Sequence, residues 1–389
     1  MPQHGVNREA LSLSVPATIW MAIAGNANDR AQWSGTAAHL IESAGSEGLA
    51  FDGLVLDRPG ERLRRAWNLM RLLRTGKVGG FQYSSLFLDR LWRGQPLAGR
   101  TIMSCYQVLP DRVIDAPDLA RWYYVDGTLT QLWASADYTP RPLPPSVVEE
   151  TLVRERRGYH AAAGVICHSR WAADSVVADY GVSPERVHVV VPGANLEPDS
   201  YGRWHGQPRP PTPGGPLRLV FVGMGGMRKG LDRLIEAMPI ARAGGATLTL
   251  TVIGCPPDAL PAPLAATAGV EWLGQIDKRR DADRFVAAVA GAEVGCLLSR
   301  AEFGGMAQRE YAALGLAAIG PAVDGAPEHA GPGALLVAAD ATPADIAALL
   351  VDLARRGDAY HRLRDAAWAA RDEASWANAA RRLHAIVNG

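Results

Sequence analysis

Residues 292–318, AEVGCLLSRAEFGGMAQREYAALGLAA, decide the fold. They open with a short apolar run, Val294 to Leu298, too short for a helix and apolar enough for a buried parallel strand. A polar corner, Ser299-Arg300-Ala301-Glu302-Phe303, leads into Gly304 and Gly305. From Met306 the pattern turns helical, with Tyr311, Leu314 and Leu316 at apolar positions and Gly315 near the end. The order is therefore strand, glycine turn, helix. Such a turn sets backbone N–H groups and the positive end of a helix dipole at the carboxyl edge of a sheet, where phosphate oxygens are well held.

Two carboxylates sharpen this reading. On one continuous helix Glu302 and Glu310 would be about 12 Å apart along the axis and about 80° apart around it. They can serve one ligand only if Glu302 precedes the helix and Glu310 lies one turn inside it. A carboxylate accepts two hydroxyl protons at once, which suits a polyol, while the amides between the acids suit phosphates. Together these point to a nucleotide-sugar.

Further segments follow in a consistent order: FVGMGGMRKGLDRLIEAM (221–238), VEWLGQI (270–276) and AAIGPAVDGAPEHAGPGALLV (317–337). With the SRAEFGG turn and the second acid, this block resembles the nucleotide-binding half of retaining glycosyltransferases of family 4. The resemblance implies the GT-B fold, an α/β architecture of two Rossmann-like domains facing across a cleft, with a C-terminal helix that crosses back. It covers residues 160–380 well and the first half more loosely. The expected parts are an acceptor-binding domain over 1–197, a proline-rich linker at 198–216, a nucleotide-sugar domain over 217–369, and a returning helix at about 370–389.

Composition agrees with this size. A chain of 389 residues exceeds one ordinary core, so two domains are expected. Lys+Arg and Asp+Glu are both 40, so no basic face for nucleic acid is indicated. Cys105, Cys167, Cys255 and Cys296 are scattered in apolar runs without a metal-ligand spacing, which fits a reducing compartment. Residues 15–24 are apolar but end in a polar loop rather than a cleavage site, and no segment reaches membrane-span length. The expected location is cytoplasmic, with peripheral contact at the inner membrane face through 61–77. That stretch reads as a helix with Leu63, Trp67, Met70 and Leu73 on one side and arginines around it. A solvated face is the plainer reading of the same charges.

In the first half, residues 17–24 read as a strand and the loop after it carries Asp29, Trp33, Ser34 and Gly35, ahead of a helix near Thr36. The Trp-Ser-Gly-Thr wording is similar to a subgroup of family 4 in which this loop faces the cleft. Alternatively, Trp33 is a packing anchor and Ser34 a helix cap. Residues 121–126 read as a strand ending in DGT, which aims Asp126 at a strand end. Many family members hold a histidine there, and Asp126 departs from that pattern. His168, at the close of the next strand, reads as structural.

The GMGGMRKG segment is neither a Walker nor a G-x-G-x-x-G loop. The family often has an arginine just after the first glycine, Gly223; Met224 stands there, and Arg228 is expected to compensate. By resemblance, the donor is a nucleotide-diphosphate sugar, UDP-linked in preference to GDP-linked, used without metal or cofactor. Its sugar passes to a small-molecule, glycan or lipid-linked acceptor. The resemblance places Glu302 at the transferred sugar and Glu310 at the ribose. Amides of Phe303, Gly304, Gly305 and Met306, with Gly223 and Gly274, line the donor. Arg228 and Lys229 stabilise the departing diphosphate, and Asp126 serves the reacting centre. Lys229 precedes a helix start, where a cation opposes the dipole unless an anion is bound. Its removal is therefore expected to leave the empty protein as stable as before, or more so. The rival readings are a nucleotide-sugar epimerase using Asp126 and Asp29, and a non-catalytic paralogue.

Overall fold

The computed structural model describes residues 18–139, 143–204, 210–211 and 214–389. Residues 1–17 and part of the 198–216 linker lie outside them. Six strands form the first sheet: β1 (Ile19–Ala22), β2 (Phe51–Gly53), β3 (Arg100–Ser104), β4 (Leu119–Val125), β5 (Gly164–Cys167) and β6 (Val187–Val189). Their order is β2-β1-β3-β4-β5-β6, and every pairing is parallel. The second sheet holds β7 (Leu217–Val222), β8 (Leu248–Ile253), β9 (Val270–Gly274), β10 (Val294–Cys296), β11 (Ala317–Pro321) and β12 (Ala334–Val337). It is also parallel, in the order β12-β11-β10-β7-β8-β9.

Parallel strands need crossover helices, which cover both faces and demand apolar residues on both. The first sheet shows this directly. Ile102 and Tyr123 enter one core, while their chain neighbours Met103 and Tyr124 enter the other, as a two-residue period requires. The second sheet has one continuous core, built on Leu219, Phe221, Leu250, Val252, Val294 and Ile319.

The C-terminal segment returns to the first sheet, as the resemblance implied. The structure divides the expected single helical region into a helix Asp358–Ala370, a tight turn Arg371–Ala374 and a helix Trp376–Asn388. Ser375 makes the break by capping the last helix through Asn378 N–H. Trp376, Ala379, Ala380 and Leu383 are buried with Ile19, Met21 and Leu40 of the first domain. The crossing is close: a Cβ on Gly193 would meet Trp376 N at 2.3 Å. Trp376 Nε1 also donates to Asn195 Oδ1 at 2.9 Å.

Two local expectations need correction. The stretch read as linker starts with a short helix, Pro198–Arg203, with proline at its first turn, where no N–H is needed. In the helix Glu61–Thr75, only Leu63 and Trp67 pack on the core. Met70 and Leu73 are 48% and 79% exposed, because the body of the domain meets the Trp67–Arg71 side alone.

Strand order locates the crevice. The second sheet reverses direction of build between β7 and β10, and the first between β1 and β3. Ligands of open α/β sheets bind beyond the carboxyl ends of the strands at such points.

Candidate active site

At the second switch point the loops after β7 and β10 are laced together by their backbones. Leu298 N–H donates to Lys229 O at 3.1 Å, and Arg300 N–H to Arg228 O at 2.9 Å. Gly230 makes this approach feasible. Its φ is +73°, and a Cβ would fall 2.0 Å from Leu298 O. The lacing sets Lys229 above Glu302. Lys229 Nζ donates to Glu302 Oε2 at 3.0 Å, Ser299 Oγ donates to the same oxygen at 2.7 Å, and Arg228 lies 3.8 Å from it. Burial raises the Glu302 pKa, but Lys229, Ser299 and Arg228 outweigh it and hold the group below its usual range.

Glu310 lies inside the helix Met306–Ala313 and Glu302 before it, the arrangement one shared ligand requires. Glu310 is buried, with one oxygen paired to Lys278 Nζ and Oε2 without a hydrogen-bond partner among the described residues. Burial pushes its pKa up despite Lys278. Both acids line one cavity of about 940 Å³ between the domains, together with Gly223, Arg228, Lys229, Gly304, Met306 and Ser34.

The amides expected to meet phosphate divide into two groups. Phe303 N–H donates to the Tyr138 hydroxyl at 3.3 Å, and Met306 N–H to Gly304 O at 2.7 Å, so these two are engaged. Among the described residues, the N–H groups of Gly304 and Gly305 make no such bond. Gly274 is displaced from the expected site. It ends β9, its carbonyl accepts from Gly254 N–H at 2.8 Å, and Gly254 lines the cavity instead.

Facing this from the first switch point is a second cavity of about 380 Å³, lined by Trp33, Arg58, Tyr106, Asp126, Tyr138, Glu302 and Gly304, among others. Asp126 follows β4 directly. Desolvation, and to a lesser degree the charge of Glu302, raises its pKa to about 6, against hydrogen bonds from the Asp126 and Gly127 amides. Gly127 packs so closely on Phe303 that a Cβ would sit 2.8 Å from its ring. Asp126 and Glu302 thus meet where the two domains touch.

The Trp-Ser-Gly-Thr loop does reach the cleft, Trp33 through the smaller cavity and Ser34 through the larger. Trp33 and Ser34 have φ of +46° and +57°, a rare left-handed pair for residues other than glycine. Ser34 is no helix cap: Gly35 holds that position, and the Ser34 carbonyl accepts from Asn195 Nδ2 at 2.8 Å. Asp29 turns into its own loop, accepting from Ala31 N–H at 2.8 Å and from Gln32 Nε2 at 3.4 Å. That orientation withdraws one of the two acids an epimerase reading needed.

Three groups were missed in the sequence. Lys278 pairs with Glu310; the only signal was that lysine occurs three times in the chain, and two of the three are here. Tyr138 accepts from Arg228 at 3.2 Å and from Phe303 N–H, with the Arg228 guanidinium 4.8 Å above its ring. His329, within the quoted PEHAG stretch, is buried beside His168, ring centres 6.3 Å apart. Burial, with the neighbouring imidazole, drives His168 well below its usual pKa. Burial lowers His329 to about 4, so both are neutral near pH 7.

Residues 216–356 match the family described as glycosyl transferases group 1. No curated protein matches the chain. Among solved structures, the chain is similar to WaaG, a glycosyltransferase of lipopolysaccharide biosynthesis, at 13% identity and a TM-score of 0.57, covering 96% of this chain and 100% of that one. It is similar to HepE of Anabaena, solved with UDP and glucose, at 12% identity and 0.57, covering 95% and 98%. A sucrose-phosphate synthase of Thermosynechococcus elongatus gives 15% and 0.60, again over 95% and 98%. The chain therefore has the GT-B fold over nearly its whole length, and residues 216–356, which carry Arg228, Lys229, Glu302 and Glu310, match the group 1 glycosyl transferases.

Proposed function

We propose that the protein is a retaining glycosyltransferase that moves a sugar from a nucleotide-diphosphate donor, UDP-linked in preference, to an acceptor hydroxyl without a metal ion. One observation carries the reading. Two buried acids in one interdomain cavity each hold a lysine on one oxygen, and Glu310 leaves its other oxygen unpartnered. An unpaired buried carboxylate oxygen is costly, and a ligand hydroxyl would satisfy it. In this reading Glu310 Oε2 accepts from the ribose, and Glu302 Oε1 from the transferred sugar. Gly304 and Gly305 amides, with Arg228 and Lys229, face the diphosphate as its bond to the sugar breaks. Donors fixed in place before the charge develops supply most of such catalysis. Asp126 faces the reacting centre from the first domain. The UDP preference draws on HepE, whose structure holds UDP and glucose.

The test is a melting-temperature screen against UDP, GDP and their sugars, since a ligand bound only by the folded chain raises the transition. Uridine compounds should raise it most. Sugar release or transfer from the best donor should then be equal in EDTA and in magnesium. No response to any nucleotide overturns the reading, and activity lost in EDTA with the fold intact overturns its metal-free part.

A further inference from the structure

Twelve large apolar side chains stand exposed among the described residues, and six of them fall between Leu69 and Leu86. Four belong to the helix Glu61–Thr75: Leu69 at 59%, Met70 at 48%, Leu72 at 46% and Leu73 at 79% exposed. Val78, just past the Gly76 cap, is 55% exposed. At about 100° per residue, Leu69 and Leu73 point away from the side that Trp67 and Arg71 press on the domain. Trp67 packs against Phe81 with ring centres 5.6 Å apart and the rings tilted by 53°, and Arg71 donates to Ser146 Oγ at 3.0 Å, so the inner side is fixed. The outer leucines are therefore exposed because the inner side is held, with Arg62 and Arg65 on the same side as Leu69 and Leu73. Scattered surface leucines need no explanation, but this concentration does.

The charges around it choose the partner. Arg62, Arg65, Arg74 and Lys77 are exposed around the apolar residues, while Arg64 pairs with Glu61, the single acid in the same stretch. A second copy of this chain would bring the same cations face to face. An anionic bilayer instead accepts leucines below its headgroups and guanidinium groups at them, the usual arrangement of an amphipathic helix lying in an interface.

We infer that the outer face of the Glu61–Thr75 helix, with Val78, docks on an anionic lipid bilayer. The surface adjoins the Asp126 cavity: Arg58, just before the helix, lines that cavity, and so does Tyr106, whose hydroxyl donates to Gln82 O at 2.9 Å beneath the helix. Resting on the transferase reading, this makes the acceptor an amphiphile carried by the bilayer. The docking itself does not depend on that reading.

Vesicles of phosphatidylcholine alone, and of phosphatidylcholine with phosphatidylglycerol, should be sedimented with the full chain at low and high salt. Binding is expected to the anionic vesicles only and to weaken as salt rises, since exposed charges are screened. The double variant Leu69→Ser/Leu73→Ser should lose binding on the order of tenfold or more while keeping its melting temperature, because both side chains are already in water. Arg62→Gln/Arg65→Gln should lose binding by a similar factor and remove most of the salt dependence. No binding to anionic vesicles overturns the inference, as does binding that neither variant changes. Leucine-dependent self-association without vesicle binding overturns it in favour of a copy-to-copy interface. Nucleotide-induced melting shifts are read separately, so failure here is distinguishable from failure of the transferase reading.

Discussion

Lys229 Nζ lies 3.0 Å from Glu302 Oε2, joining the loop after β7 to the loop after β10. This relationship reverses one expectation. Lys229 was read as a cation left unfavourably at a helix start, but its side chain has turned to a buried acid. Glu302 is only 4% exposed, and removing its main counter-charge leaves a carboxylate with Ser299 and a more distant Arg228. Breaking one side of a buried pair is strongly destabilising.

Lys229→Ala is therefore expected to lower the stability of the empty protein, by about 2–3 kcal/mol, and to nearly abolish transfer. Lys229→Ala/Glu302→Gln should recover most of that stability and none of the activity. Denaturant melts beside turnover assays check both. Full stability in Lys229→Ala alone would contradict the pairing.

Asp126 gives a pH prediction. Its pKa is raised to about 6 in the folded chain, so folding favours the protonated form. Below the unfolded carboxylate range the group costs nothing. As pH rises from that range through about 6, the unfolded chain ionises before folded Asp126 does, and the stability present at lower pH is lost. Asp126→Asn should thus match the parent near pH 4 and exceed it above pH 7, by up to about 3 kcal/mol. Turnover should fall by about 10²-fold if the carboxylate serves the reaction. A variant that is less stable at high pH yet fully active would mark Asp126 as a strand-end cap.

Glu310→Gln leaves one acceptor oxygen, which Lys278 Nζ takes, and so removes the one that faces a ligand group held in ground and transition states alike. Nucleotide affinity should weaken by roughly 1–3 kcal/mol, with turnover of bound donor largely kept. Calorimetric titration with UDP measures the first part. Equal affinity in parent and variant would place the ribose elsewhere.

Tyr138→Phe keeps the ring on Phe303 and Arg228 and deletes only the oxygen that accepts from both. With Arg228 freed from that bond, turnover is expected to fall about tenfold, the worth of roughly 1.4 kcal/mol, while UDP binding stays close to the parent. Single-turnover kinetics separate the two. Weakened UDP binding with unchanged turnover would argue that Tyr138 serves the nucleotide.

The sequence by itself determined the alternation of strands and helices and the placement of Glu302 before, and Glu310 within, one helix. Those follow from local rules: apolar runs flanked by glycine, and a period that changes from strand to helix. The helix starts at Thr36 and Met306 follow from that change of period. Partnership was not legible. Lys278 and Glu310 are neighbours only because the loop after β9 folds over the helix after β10, and Tyr138 reaches Arg228 only because two domains close on each other. Asp29 shows the converse, a suitable residue in a suitable loop whose carboxylate is satisfied by its own backbone. Likewise the arginines and leucines of 61–77 read as an amphipathic pattern, but which side faced the core depended on where Phe81 and Ser146 stood. Periodicity is a property of the chain, whereas the counter-charge of a buried group is chosen by contacts between segments far apart in sequence.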